Sequence, residues 1–323
     1  MIGQIRCSLI SVSAPAVQHI LKADVSQLKW SGNLRNLINE LKELLWERDR
    51  AYVARYTHGP KVDVSIKAER VNDDGVREEV RYLKIPLVPT RVTTLLSSSR
   101  DKVYTALNKY CITQKVVLGW RKKCIYFLPY SMTNEMLKAI EEANDYVRQA
   151  RRIMDDYLSS PYFNKLNEIL LSYGLIKHRL GLQSTDIGTV TYSLTPIVFD
   201  PEVLKDYVEP KLMEDVRRII EQRKRSIVEE AVKVLRLRIS EVAEQILKQK
   251  VTEMDVEQAL EKLANLAEDV GLSAIKHSVI PKLRDEFTKA IEGGYVIDVK
   301  AVNSRVAAAL KEVVVLAQAP AGA

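Results

Sequence analysis

The sequence predicts an α+β protein that is predominantly α-helical. Strands and a hairpin sit among helices in its N-terminal half, and a bundle of long helices makes up its C-terminal half. Glycine (12) and proline (11) are scarce in a chain of 323 residues, and both interrupt helices. Apolar residues recur at i, i+3, i+4 and i+7 through much of the chain, the period of a helix buried on one side. Alternation with period two is strongest in short runs within the first 130 residues.

Residues 4–13 alternate and read as a strand. A helix is expected over 30–50, with Leu34, Leu37, Ile38, Leu41, Leu44 and Leu45 as its apolar stripe. The alternating runs 61–71 and 76–87 flank Asn72-Asp73-Asp74-Gly75, a strong hairpin signal. Pro86 and Pro89 end that hairpin. A helix over 90–110 would bury Val92, Leu95, Leu96, Val103 and Leu107. Residues 112–128, rich in β-branched and aromatic side chains, predict a second hairpin with a basic tip near 119–122.

Thr133 is expected to cap a helix reaching Leu158, with Met136, Ile140, Ala143, Val147, Ala150 and Met154 inward. Pro161 breaks it, and a further helix over 162–173 closes at Gly174. Residues 181–200 are poor in charge and rich in Gly, Ser and Thr, which suggests a linker or strand pair. This divides an α+β domain over 1–180 from a helical domain over 201–323. The helical domain opens on a long helix over 209–250. Its expected buried side is Val216, Ile220, Ile227, Ala231, Val234, Leu235, Val242 and Ile246. Helices over 253–269, 272–292 and 298–316 follow.

Composition narrows the function classes. Hydrophobic residues at 46% and charged residues at 28% are ordinary for a globular chain. No apolar run approaches the ~20 residues of a membrane span, so no membrane association is expected. Cys7, Cys111 and Cys124 are three widely spaced cysteines, which form no disulfide framework and no zinc-binding pair. They read as buried free thiols in a reducing compartment, and the expected location is the cytoplasm or a virion. His19, His58, His178 and His277 never fall at ligand spacing. Phosphate-loop, dinucleotide and nucleophile-elbow motifs are absent. The carboxylate pairs Asp155-Asp156 and Glu229-Glu230 lie in helical stretches beside Arg and Lys, as solvated charge does. The sequence therefore predicts no enzyme, no cofactor and no metal.

Charge placement is the informative feature. Residues 90–130 carry eight basic side chains against the single acid Asp101, an excess equal to the +7 of the whole chain. They are Arg91, Arg100, Lys102, Lys109, Lys115, Arg121, Lys122 and Lys123, interleaved with Tyr104, Tyr110, Trp120, Tyr126 and Tyr130. Basic side chains neutralise phosphates, and aromatic rings stack on bases or pack a core. A second basic face, Arg217, Arg218, Arg225 and Arg236, lies on the long helix. There Glu214, Asp215, Glu221, Glu229 and Glu230 are near enough to pair with it instead.

Residues 88–158, from the basic helix through VVLGWRKKCIYFLP to the helix ending near Tyr157, have a recognisable order. So does the opening ISVS. This arrangement resembles a family of archaeal and bacterial proteins from phages, plasmids and their hosts, to which no activity is assigned. The resemblance implies a structural or adaptor role in a mobile element and carries over no catalytic residue.

The expected function is thus a non-enzymatic nucleic-acid-binding or nucleoprotein structural protein of a virus, plasmid or other mobile element. Arg91, Arg100, Lys102, Lys109, Lys115, Arg121, Lys122 and Lys123 would contact phosphates, and Trp120 or Tyr126 would stack. The competing reading is a protein–protein adaptor or self-assembling structural subunit, a homo-oligomer through its C-terminal helices. Under that reading the charge serves only solubility. A hydrolase or nuclease with a scattered site is a third.

Overall fold

The computed structural model describes residues 4–17, 20–25, 33–52, 63–71, 77–118, 121–197, 199–206, 208–248, 252–293, 304 and 308. In chain order these form β1 (Cys7–Ser13), β2 (Ile20–Asp24), α1 (Asn33–Tyr52), β3 (Asp63–Val71), β4 (Arg77–Pro86) and α2 (Thr90–Tyr110). Next come β5 (Ile112–Leu118), β6 (Arg121–Pro129), α3 (Thr133–Leu158), α4 (Pro161–Ser172) and β7 (Thr191–Pro196). The rest is helical: α5 (Pro210–Leu247), α6 (Glu253–Asp269), α7 (Ser273–Ser278) and α8 (Ile280–Gly293).

The chain builds two compact units and enters each more than once. One comprises Met1–Ser11, Thr105–Lys138 and Tyr192–Ala323, the other Val12–Tyr104 and Ala139–Thr191. The sequence suggests a single boundary near 181–200, so this interleaving is a difference. Its cause is pairing over long range. Residues 7–10 of β1 pair antiparallel with 126–129 of β6, and α5 packs on β5. Residues 181–200 themselves hold a short 3-10 turn at Ser184–Asp186 and the single strand β7.

In the unit containing residues 12–104, β2, β4 and β3 form a sheet in that order, all antiparallel. Strand β2 is not visible in the periodicity, because five residues are too few to display it. The expected turn at 72–75 lies outside the described residues. So do the first residues of the helix expected over 30–50, including Trp30. Leu34, Leu37, Leu41, Leu44 and Leu45 are buried as their spacing requires, while Ile38 is half-buried at the edge of the stripe. Every apolar residue expected inward on α2 and α3 is buried. The chain entering α3 makes a 3-10 turn at Tyr130–Met132, so Thr133 is the first helical residue rather than a cap. On α3, Asn144 brackets Val190, accepting from its N–H at 2.9 Å and donating to its carbonyl at 3.3 Å.

At the heart of this unit is a buried ion pair. Arg48 and Asp49 are both 0% exposed. Arg48 Nε donates to Asp49 Oδ1 at 2.9 Å, and its Nη1 donates to the Pro86 carbonyl at 2.9 Å. Asp49 also accepts from Thr90, from the N–H at 3.1 Å and from the hydroxyl at 2.6 Å. Thr90 opens α2, so a carboxylate from α1 caps that helix and sits at the positive end of its dipole. The Arg48 guanidinium lies 5.7 Å from the ring centroid of Tyr157, near the end of α3. Tyr52 and Phe163 meet the Tyr157 ring edge-on, and burial pushes the Tyr157 hydroxyl pKa up.

In the other unit, β5, β6, β1 and β7 form a sheet in that order, joined by α5–α8. Asp269, at the end of α6, is its polar anchor. The side chain is buried, lies 3.2 Å from the Arg6 guanidinium and accepts the Ser131 N–H at 2.6 Å. The Asp269 carbonyl accepts the Arg6 N–H at 2.7 Å, and Ile5 bridges Val270. The single helix expected over 272–292 is two helices, α7 and α8. Pro281, which has no N–H to continue the ladder, explains the break. Of the helix expected over 298–316, only Ser304 and Ala308 are described, and both are helical.

Removing one member of a buried pair leaves the other uncompensated, a loss of about 3–5 kcal/mol. Asp49→Ala is expected to cost that much in denaturant-induced unfolding. Gly174 closes α4 at φ 68°, with nothing within 4 Å of where a Cβ would stand. Gly174→Ala should therefore cost about 1–2 kcal/mol, all of it backbone conformation. A crystal structure of that variant should show no displaced neighbour.

Candidate nucleic-acid interface

The basic tip predicted from the sequence falls on the β5–β6 hairpin. Val116, Val117, Ile125, Tyr126 and Phe127 favour the pleated backbone, and the pairing runs from Ile112↔Phe127 to Leu118↔Arg121. Register sorts the side chains. Ile112, Gln114 and Phe127 share one face and are buried. Thr113, Lys115, Cys124 and Tyr126 share the other. Lys115 and Cys124 stand opposite each other and are exposed, Lys123 is exposed, and Tyr126 is half-buried. Trp120 lies outside the described residues, and of Arg121 and Lys122 only the backbone is described.

Helix α5 brings the second basic segment to this hairpin. Gln114 Nε2, on β5, donates to Ser226 Oγ at 2.9 Å. Further along α5, Arg238 donates to the Lys109 carbonyl, and its guanidinium lies 5.7 Å from the Tyr110 ring centroid. Burial lowers the Arg238 pKa. The Lys109 ammonium lies 5.4 Å from the same ring. The two contacts fix a direction, since β5 leaves Gln114 toward the N-terminal half of α5.

Much of the charge on α5 is already paired. Arg217 meets Glu202 at 2.7 Å, Arg218 meets Asp215 at 2.7 Å, and Lys224 meets Glu221 at 2.8 Å. Arg236 is half-buried. Arg223 and Arg225, within one turn of Ser226, are exposed, and neither has an ion pair among the described residues. Lys115 and Lys123 likewise have no acidic partner among the described residues.

The remaining basic residues of the 90–130 run belong to the other unit. Arg91 is exposed. Arg100 is exposed beside a groove of about 240 Å³ lined by Thr93, Leu96, Ser97 and residues 15–17. Lys102 pairs with Glu142 at 2.5 Å. What is one cluster in sequence is thus divided by the fold. One part joins the α5 basic segment, which lies about a hundred residues further along the chain. No local pattern announces the Gln114–Ser226 bond. The only hint is a polar residue at an inward position of β5.

Among the described residues, no three His, Cys, Asp or Glu side chains gather as metal ligands, and no helix is long and apolar enough to cross a membrane. Comparison with protein-family models, curated proteins and solved structures returns no match.

The cysteines differ from the expectation that all are buried. Cys7 and Cys111 are buried, but Cys124 is exposed on the hairpin. Burial pushes the thiols of Cys7 and Cys111 from the ordinary 9.0 up to about 12, and the charge of Asp269 adds to the shift at Cys7. Both stay protonated at neutral pH, and the thiolate is the nucleophile. A thiol reagent at pH 8 should modify Cys124 alone in the folded protein, and all three in denaturant. The raised pKa values stabilise the fold below pH 9, and that contribution falls away as pH rises toward 12.

Proposed function

We propose that the chain is a non-enzymatic nucleic-acid-binding or nucleoprotein structural protein, and that the β5–β6 hairpin with the adjoining part of α5 is its contact surface. The observation that carries this reading is the Gln114–Ser226 bond. It turns the hairpin face that carries Gln114 and exposed Lys123 toward the stretch of α5 that carries Arg223 and Arg225, while exposed Lys115 projects from the opposite face, and none of the four has an ion pair among the described residues. Cations without local counter-charges are the groups a polyphosphate backbone neutralises, with release of its own counterions. Such a surface positions a backbone and reads little sequence. The resemblance over residues 88–158 supports a mobile-element source, viral or plasmid-borne and archaeal or bacterial.

The test is binding of a labelled duplex and a labelled single strand across a salt series from ~50 to ~300 mM. Affinity should fall log-linearly with salt. The Lys115→Ala, Lys123→Ala double variant should lower the slope by about 2, roughly one per lost phosphate contact. Bound nucleic acid should also slow alkylation of Cys124, which stands opposite Lys115. Failure of both strands to bind at the lowest salt would sink the reading and leave the charge as a solubilising surface.

A further inference from the structure

Between Ile227 and Ile246 most of the apolar side of α5 is buried. Upstream the covered side continues through Met213, which is buried, and beside it lies a second row of apolar side chains that is largely open. Leu212 is 47% exposed and Ile219 is 55% exposed. Val216 and Ile220 are half-buried. Single exposed apolar side chains are ordinary, but these are in register. Leu212, Val216 and Ile219 fall at the alternating four- and three-residue spacing that makes a straight seam between two helices.

The same seam ends in opposite charges. Glu209 lies three residues before Leu212, and Arg223 lies four residues after Ile219. Among the described residues the ion pair of Glu209 is with an exposed lysine two residues on, Lys211, at 2.7 Å. Arg223 is exposed and has no ion pair among the described residues.

We infer that this seam of α5, from Glu209 to Arg223, is a contact between two copies of the chain, with the two helices antiparallel. The charges choose the occupant and its direction. A parallel pair sets Glu209 against Glu209 and Arg223 against Arg223. An antiparallel pair sets each Glu209 against the Arg223 of the other copy, so both ends of the apolar seam close on opposite charges. A segment of about four turns is short for an interface, so the association is modest and concentration-dependent. It does not rest on the nucleic-acid reading: in the pair Arg223 is engaged by Glu209, and the phosphate surface keeps Lys115, Lys123 and Arg225.

Sedimentation velocity of the full chain, over about a hundredfold range of concentration, tests it. The mass should rise from one copy to two. Leu212→Asp with Ile219→Asp should hold the chain at one copy, while circular dichroism shows an unchanged helical content, since both positions are exposed. Glu209→Arg and Arg223→Glu should each raise the dissociation constant about tenfold or more. An equimolar mixture of those two variants should recover the wild-type value, because each helix then meets its complement at both ends. The inference is overturned by any of three results. These are a single copy at every concentration, association that survives the two aspartates, and a mixture no tighter than its separate components.

Discussion

A carboxylate taken wholly out of water needs other groups to replace its hydration, and Asp49 shows how completely this can be done. Arg48 supplies the counter-charge, and Thr90 supplies two donors. The arrangement resolves two difficulties together. The first turn of α2 has N–H groups without partners inside the helix, and Asp49 has lone pairs without solvent. The cap comes from a residue 41 positions upstream rather than from the residues just before the helix. The start of α2 is therefore set by tertiary structure. With it are set the positions of Arg91, Arg100 and Lys102, which that helix carries.

Much of the fold was legible wherever a long stretch buries one side. The limits of α2, α3 and α6 follow from apolar periodicity and end signals, because a helix of seventeen or more residues repeats its pattern several times. The β5–β6 hairpin follows from a run of residues that suit a pleated backbone. Short elements were not legible. Strand β2 exists because β4 offers it an edge, and nothing within Ile20–Asp24 says so. The break between α7 and α8 turns on Pro281, whose effect is easily overlooked inside an otherwise continuous apolar pattern.

The candidate site was legible as chemistry and not as geometry. A count of charge along 90–130 finds the lysines and arginines, but distance along the chain is a poor guide to distance in space. Lys102, adjacent to the only acid of that run, is neutralised by Glu142. Lys115 has no acidic partner among the described residues, and Lys123, on the hairpin face that carries Gln114, is turned toward the Arg223–Arg225 stretch of α5 through one bond between uncharged side chains. Helix α5 shows the same limit from another side. The expectation of a single buried stripe along its whole length holds for Ile227, Ala231, Leu235, Val242 and Ile246. It weakens at Val216, Ile220 and Val234, which are only half-buried.

The anchor at Asp269 bears on how the molecule comes into being. Arg6 and Ile5 precede their partners Asp269 and Val270 by more than 260 residues. At roughly 5–20 residues per second, a ribosome releases the first strand long before it makes α6. Strand β1 meets β6 early but cannot be secured at its start until α6 has been made. The unit containing Arg48 and Asp49 needs nothing beyond Thr191. It can therefore assemble on the nascent chain, while its neighbour waits on contacts whose large sequence separation makes them slow to find.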